Sequence, residues 1–362
     1  MESIKNISEL QAGTLLKEDV FSKTKYPIMR KETELTLEHI DVLRAFGVTQ
    51  VRVLEGLEKN DETSSDSSAT EDGNGKVPNS MHWLKDIYDK TVRDYKREFN
   101  YWRSGQLPDV AKIRSFIIPL LEKFIAQKRM LTFLNDFSTP EEYIYHHPIA
   151  VGILSAAIGQ QMGYEKGDII QLGLAGTLAD SGMAKIAPSI VEKTAFLTPE
   201  EYNEVKKHTL FSVKMIQLSP LIRQDMKLAI LQHHERLDGS GYPRGEKMET
   251  ILVFSQILAV ADVFHAMTSD RLYRPKHSPF KVIEMIKEDE FGKFDIKVVD
   301  ALQNLVGSLS IGTRVKLTNG EFGEVMFLHR DAPLRPMIKK DSDGLIIDLS
   351  TNRDITIDSI LE

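Results

Sequence analysis

The sequence predicts a mainly α-helical protein: a helical bundle core with a small N-terminal α+β unit and a small C-terminal all-β appendage. Three observations lead there. From Met81 to about Val306 the apolar residues recur at helical spacing with little strand-like alternation. Within that stretch Thr139-Pro140-Glu141-Glu142 and Thr198-Pro199-Glu200-Glu201 repeat one helix-start signature: Thr at the N-cap, Pro at N1 and Glu at N3. After Val306 the pattern changes to alternation around turn residues, in TRVKLTNGEFGEVMFLH (313–329), GLIIDL (344–349) and ITI (355–357).

Taken in chain order, residues 1–57 mix short strand-like runs with one helix, which Thr36-Leu37-Glu38-His39 opens with a capping pattern, and TQVRVL (49–54) reads as a strand. Residues 58–80, EKNDETSSDSSATEDGNGKVPNS, hold almost nothing apolar and cannot offset their own ordering entropy, so they read as a flexible linker. Residues 81–136 follow as a helical connector and 137–306 as the main helical domain. In the latter, ILVFSQILAVADVFHAM (251–267) is apolar on nearly every face and predicts a central helix. Residues 307–362 form the β appendage, with a hairpin turn at Asn319-Gly320 or Gly323.

Composition narrows the chemistry. The 362 residues contain no cysteine, which excludes disulfides, thiolate zinc sites and cysteine nucleophiles and suits a reducing cytoplasm. The start, MESIKNISEL, lacks a basic segment followed by an apolar run, and no stretch approaches the roughly 20 apolar residues that span a bilayer. The expectation is a cytoplasmic protein with no membrane span. A net charge of −7 argues against binding a nucleic-acid polymer, while leaving room for a small anionic ligand at a locally basic site.

Seven of the ten histidines lie between positions 146 and 277, among them His147, His208 and the pair His233-His234. Asp180 and Asp262 are carboxylates set in apolar helical sequence, where an unpaired charge costs several kcal/mol. Imidazoles and carboxylates without sulfur suit an iron, manganese or zinc centre, and two such ions about 3.5–4 Å apart suit phosphodiester hydrolysis. Singly, each residue has an ordinary structural reading: a core histidine, a cap, an ion-pair partner. QHHERLDGSGYPRG (232–245) sharpens the case, because Gly239, Gly241 and Pro243 fix a loop that presents Asp238, Tyr242 and Arg244 beside two histidines.

HHERLDGSGYPRG, VADVFHAMTSDRLYR (260–274) and KTAFLTPEEYNEVKKHTLFS (193–212) closely resemble the HD-GYP proteins, a branch of the HD phosphohydrolases. The resemblance runs in order over roughly residues 137–306 and implies an HD-type helical bundle. It also implies a metal-dependent phosphodiesterase that opens cyclic di-GMP to pGpG or GMP. His147, Asp180 and Asp262 then resemble the ligands of a first metal, and His208, His233 and His234 those of a second that shares Asp180. Asp180 and His234 are the implied catalytic residues, Tyr242, Arg271 and Arg274 the implied substrate contacts, and one or two ions per chain, Fe or Mn, the implied cofactors. Arg236, Arg244 and Lys276 would extend a local basic patch. The same likeness admits a homodimer and a GGDEF-domain signalling partner.

Three positions depart from the pattern. Where the resemblance leads to HDIGK, this chain has Ala179-Asp180-Ser181-Gly182-Met183, losing an imidazole and a lysine. Lys185 lies two residues on, about 200° around a helix. His265 stands where an aspartate is expected, on the Asp262 face of its helix, and so is a candidate to reach the place beside Ala179. Two functions follow: a phosphodiesterase of weakened activity, or an inactive cyclic di-GMP receptor or protein-interaction module in bacterial signalling.

Overall fold

The computed structural model describes residues 2–11, 13–21, 27–29, 31, 33, 35, 40, 43, 48–54, 79–270, 276–288, 292–307 and 309–361. The chain divides into two compact units, Met1–Gly75 and Lys76–Glu362.

In the first unit, β1 (Glu2–Asn6), β5 (Gln50–Leu54) and β2 (Leu15–Leu16) form an antiparallel sheet in that order, and β3 (Val20–Phe21) pairs with β4 (Pro27–Met29). The expected strand over 49–54 is β5, where Val51 and Val53 are buried and Gln50 and Arg52 exposed, as a two-residue period requires. These valines pack with Ile7, Leu16 and Leu43 in a core of their own. The expected helix start at Thr36–His39 and the expected linker up to residue 78 lie outside the described residues.

The second unit begins with α1 (Asn79–Arg103), so Asn79 and Ser80, expected as the end of the linker, belong to a helix. There follow α2 (Val110–Ala126), α3 (Tyr143–Gln161), α4 (Lys166–Ala179), α5 (Pro188–Val191), α6 (Pro199–Lys206), α7 (His208–Ile216), α8 (Gln224–Gln232), α9 (Val253–Thr268), α10 (Pro279–Glu288) and α11 (Ile296–Val306). The expected central helix is α9, with eleven of its sixteen residues buried. It packs on α3 and α8. At full burial each of its Leu, Ile and Val side chains contributes about 1.5–3 kcal/mol. Helices α3 and α4 cross almost backbone to backbone: a Cβ on Gly152 would lie 2.2 Å from Thr177 Oγ1, and one on Gly176 would lie 2.9 Å from the Val151 carbonyl oxygen. That crossing brings the start of α3 and the end of α4 together, which sets the site.

Only one of the two Thr-Pro-Glu-Glu starts acts as expected. Thr198 Oγ1 accepts from the Glu201 amide at 3.3 Å and the Glu201 carboxylate accepts from the Thr198 amide at 2.7 Å, closing a capping box. At the other, α3 starts at Tyr143 with Glu142 as an N-cap whose side chain makes no cap. The Glu142 carboxylate instead takes the Lys96 ammonium at 2.5 Å, a charged partner that outcompetes a neutral amide.

The C-terminal strands β6 (Arg314–Leu317), β7 (Phe322–Phe327), β8 (Met337–Lys340), β9 (Ile346–Asp348) and β10 (Ile357–Ile360) form one antiparallel sheet in the order β10-β6-β7-β8-β9. Its first turn falls at Asn319-Gly320, not at Gly323, which lies within β7. Val315, Leu317, Val325, Ile338 and Ile357 join the same apolar core as the helices, so the appendage shares its interior with the bundle. Arg335 fastens the two, donating to both carboxylate oxygens of Glu284 at 2.6 and 2.7 Å and to the Leu349 carbonyl at 3.0 Å. Replacing Arg335 by Ala leaves a mostly buried carboxylate unpaired, and is expected to lower the stability of this unit by about 3 kcal/mol in urea titrations.

Candidate metal centre

Five chain segments bring the expected residues to one place. His147 lies in the first turns of α3, Asp180 directly after α4, His208 at the start of α7, His233 and His234 directly after α8, and Asp262 in α9. The turn Ser181–Lys185 is folded hard against α7. Ser212 Oγ accepts from the Gly182 amide at 2.7 Å and donates to the Ala179 carbonyl at 2.6 Å, clamping the backbone on both sides of Asp180. Only glycine fits there, since a Cβ on Gly182 would lie 2.1 Å from the His208 carbonyl oxygen. Nothing in the sequence pattern singled out Ser212 or Gly182, because neither carries chemistry of its own.

The donor atoms fall into two groups that share one residue: Asp180 with His208, His233 and His234, and Asp180 with His147 and Asp262, the ligand atoms of each lying within 4.8 Å of one another. Asp180 divides its oxygens between them. Oδ1 lies 3.2 Å from His208 Nε2 and 3.5 Å from His233 Nε2, while Oδ2 lies 3.5 Å from His147 Nε2. His147 Nε2 is also 2.9 Å from Asp262 Oδ1, and His234 Nδ1 is 3.7 Å from Asp262 Oδ2. The tautomers are set from behind. His208 Nδ1 is 2.7 Å from the Val205 carbonyl and His233 Nδ1 is 2.7 Å from the Ile230 carbonyl, so each Nδ1 carries a proton and each ring, when neutral, turns an Nε2 lone pair inward. Converging imidazole lone pairs and carboxylates, without sulfur, are a donor set that can hold divalent iron, manganese or zinc.

Charge tells the same story. Burial raises the Asp180 pKa, but hydrogen bonds from His208 and His233 and the charges of His208 and His147 overcome it and hold the carboxyl well below its usual range. Burial opposes ionisation of Asp262 too, and the hydrogen bond from His147 helps hold its carboxyl below the usual range. His208 loses basicity to burial and regains more from the Asp180 hydrogen bond and charge, so its pKa is raised. His234 is driven far down, by burial first and by His233 second, and stays neutral. His208 thus keeps a proton beside Asp180 to higher pH than a free imidazole does.

The loop after the histidine pair walls one side. Glu235 is fully buried, and its carboxylate accepts from the Arg244 amide at 2.7 Å and the Glu246 amide at 3.0 Å, pinning the loop. Sequence reasoning passed over this residue, although a carboxylate directly after two site histidines was a visible signal. Tyr242 stacks on His234 with ring centres 4.6 Å apart. Asp238 makes a turn with Ser240, and Arg244 pairs with Glu246 at 3.2 Å. Arg236 donates to the His233 and Glu235 carbonyls, and Lys276 pairs with Asp136 at 2.8 Å. Arg271 and Arg274 lie outside the described residues.

His265 belongs to neither donor group. Its Nδ1 is 2.9 Å from His147 Nδ1, the ring edge turned away from Asp262, and Ser269 Oγ lies 3.2 Å from its Nε2. It supports His147 from behind, beside Tyr143, whose hydroxyl is 2.8 Å from the same Nδ1. A cavity of about 660 Å³ opens on His147 and Asp180 and is bordered by Tyr143, Met183, Phe196 and Tyr202.

Two outcomes follow. Gly182→Ala forces the turn off α7, and is expected to lower bound metal per chain at least tenfold by elemental analysis while helical content persists. Because the His208 pKa is raised, its proton must leave before Nε2 can coordinate. Metal affinity should therefore rise as the pH climbs above the ordinary imidazole value of about 6.5, with proton release measurable by calorimetry in two buffers. A pH-independent affinity would contradict this.

The model of the HD domain family matches residues 122–298. The cyclic di-GMP phosphodiesterase PA4108 of Pseudomonas aeruginosa is 32% identical over 241 residues, covering 66% of this chain and 57% of that protein. The cyclic di-GMP phosphodiesterase of Thermotoga maritima is 34% identical over 221 residues, covering 58% of this chain and 59% of its own length. The chain thus spans under two thirds of the length of these curated relatives. Bd1817, an HDG"Y"P protein from Bdellovibrio bacteriovorus, shares the fold with a TM-score of 0.52 at 15% identity, over 84% of this chain and 99% of that one. Among the described residues no helix is long and apolar enough to cross a membrane. With the motif segments, the helical core and these relatives in agreement, residues 122–298 of the chain carry an HD domain, within a fold shared with an HDG"Y"P protein.

Proposed function

We propose that this chain is a metal-dependent phosphodiesterase acting on cyclic di-GMP. The observation that carries the reading is the sharing of Asp180 by two donor groups, an arrangement that suits two neighbouring divalent ions. His147, Asp180 and Asp262 would hold one; Asp180, His208, His233 and His234 the other. When bound, such ions supply Lewis acidity toward a phosphoryl oxygen and toward water. The protein's own part is preorganisation. The Val205 and Ile230 carbonyls orient two imidazoles, and Ser212 fixes the carboxylate's position before substrate arrives. Tyr242, stacked on His234, holds that imidazole in place beside the other ligands.

The cleft is of the size that small-molecule sites have, and its mix of Tyr143, Tyr202, Phe196 and Ile190 suits nucleobase faces. Both named relatives are cyclic di-GMP phosphodiesterases, which supports that substrate. Iron or manganese is the expected metal. Residues 137–306 carry the activity in this reading, with 1–57 and 307–362 as accessory units. A GGDEF-domain partner, as the resemblance implies, a homodimer and a cytoplasmic setting, which the absence of cysteine suits, accompany it.

The second reading, a receptor without turnover, is favoured by one feature: Ala179 is buried and Met183 borders the cleft, so neither an imidazole nor an ammonium comes from those positions. Full-length protein loaded with Mn²⁺ or Fe²⁺ and given cyclic di-GMP discriminates. The phosphodiesterase reading expects pGpG or GMP, abolished by His234→Ala. Tight binding with no product supports the receptor. Restoring Ala179→His with Met183→Lys is expected to raise the rate about 100-fold.

A further inference from the structure

We propose that Arg103 is the phosphate-binding cation of this site, delivered by a helix that lies outside the matched HD domain. The inference rests on the phosphodiesterase reading and adds to it a residue for the anionic part of the substrate.

Arg103 is the last residue of α1 and precedes the matched region, residues 122–298. It nevertheless lines the cleft together with His147, Asp180 and Met183. Its place there is built. Tyr95, Phe99 and Trp102 anchor the end of α1 in the core, all fully buried. Lys185 Nζ donates to the Trp102 carbonyl at 2.7 Å, tying the carbonyl-rich end of α1 to the same turn that carries Met183. The guanidinium lies over the Phe99 ring, 5.2 Å from its centre. The lysine missing at position 183 and the lysine retained at 185 are linked in this way. Lys185 supplies no charge to the cleft, but it holds in place a helix end that does.

The donors of Arg103 are not all committed. Nη1 contacts Glu192 at 3.1 Å, and that carboxylate is 64% exposed, a screened partner that an incoming phosphate can displace. Nε is buried and makes no hydrogen bond, an unusual state for a charged donor. The other cation lining the cleft among the described residues, Lys193, is held at 2.6 Å by Glu201, whose carboxylate also closes the α6 capping box. A planar guanidinium whose Nη1 holds only an exchangeable, exposed partner suits binding of a phosphodiester's free oxygens.

The test uses the full chain loaded with Mn²⁺ and two probes, cyclic di-GMP and bis(4-nitrophenyl) phosphate, with binding measured at equilibrium. Arg103→Ala should weaken both by about 10- to 100-fold, with Arg103→Lys intermediate and metal content unchanged. Glu192→Gln, at an exposed position, should strengthen both by about 2- to 5-fold by freeing Arg103. It keeps the idea testable if Arg103→Ala misfolds. Unchanged affinities in a folded Arg103→Ala, or in Glu192→Gln if Arg103→Ala does not fold, would overturn the proposal. If the wild type binds bis(4-nitrophenyl) phosphate but not cyclic di-GMP, the cyclic di-GMP reading falls and Arg103 is judged on the simpler diester. If it binds neither, both fall.

Discussion

The placement of one negative charge governs this site. The Asp180 carboxylate, with only 22% of its side chain exposed, faces three imidazole nitrogens at 3.2–3.5 Å, and a second carboxylate faces two of the site's four histidines. So many donors in so little solvent leave the chain two ways to balance charge: protonate an imidazole, as the raised His208 pKa indicates, or bind a cation. The first is the metal-free compromise, and the second is what the inward-facing lone pairs are arranged for.

The fold serves that placement through close backbone approach more than through side-chain bulk. Gly152 and Gly176 let α3 and α4 meet, and Gly182 lets the turn after α4 sit on α7, so three elements converge on Asp180 without long side chains between them. Behind the ligands, carbonyls of Val205 and Ile230, the hydroxyl of Tyr143 and the ring of His265 each fix one ring edge. The sheet at the C-terminal end is continuous with this core and clamped by Arg335 on Glu284, which ties α10 to the strands.

Much of this was legible in the sequence, for reasons that differ by residue. α9 and the β appendage could be read because burial on nearly all faces and two-residue alternation are properties of local text. Asp180, Asp262 and the histidines stood out because such groups are costly in apolar helices, and the GYP loop gave them context. What could not be read depends on distant partners. Glu142 left its capping role for Lys96, 46 residues earlier in the chain, and no local pattern announces that. The helix face of His265 makes it only a candidate for the place beside Ala179, because a helical face does not say on which side of a neighbouring ring a residue will stand. Lys185 was rightly seen to point away from the site, yet its hold on Trp102, across 83 residues, was invisible.

Asp180 belongs to both donor groups, and counting metal in single variants tests that most directly. After Mn²⁺ loading and removal of excess, elemental analysis should find up to two ions per wild-type chain, a single ion in Asp262→Asn, and none firmly held in Asp180→Asn. An Asp180→Asn protein that is folded and keeps the wild-type metal count would contradict the account.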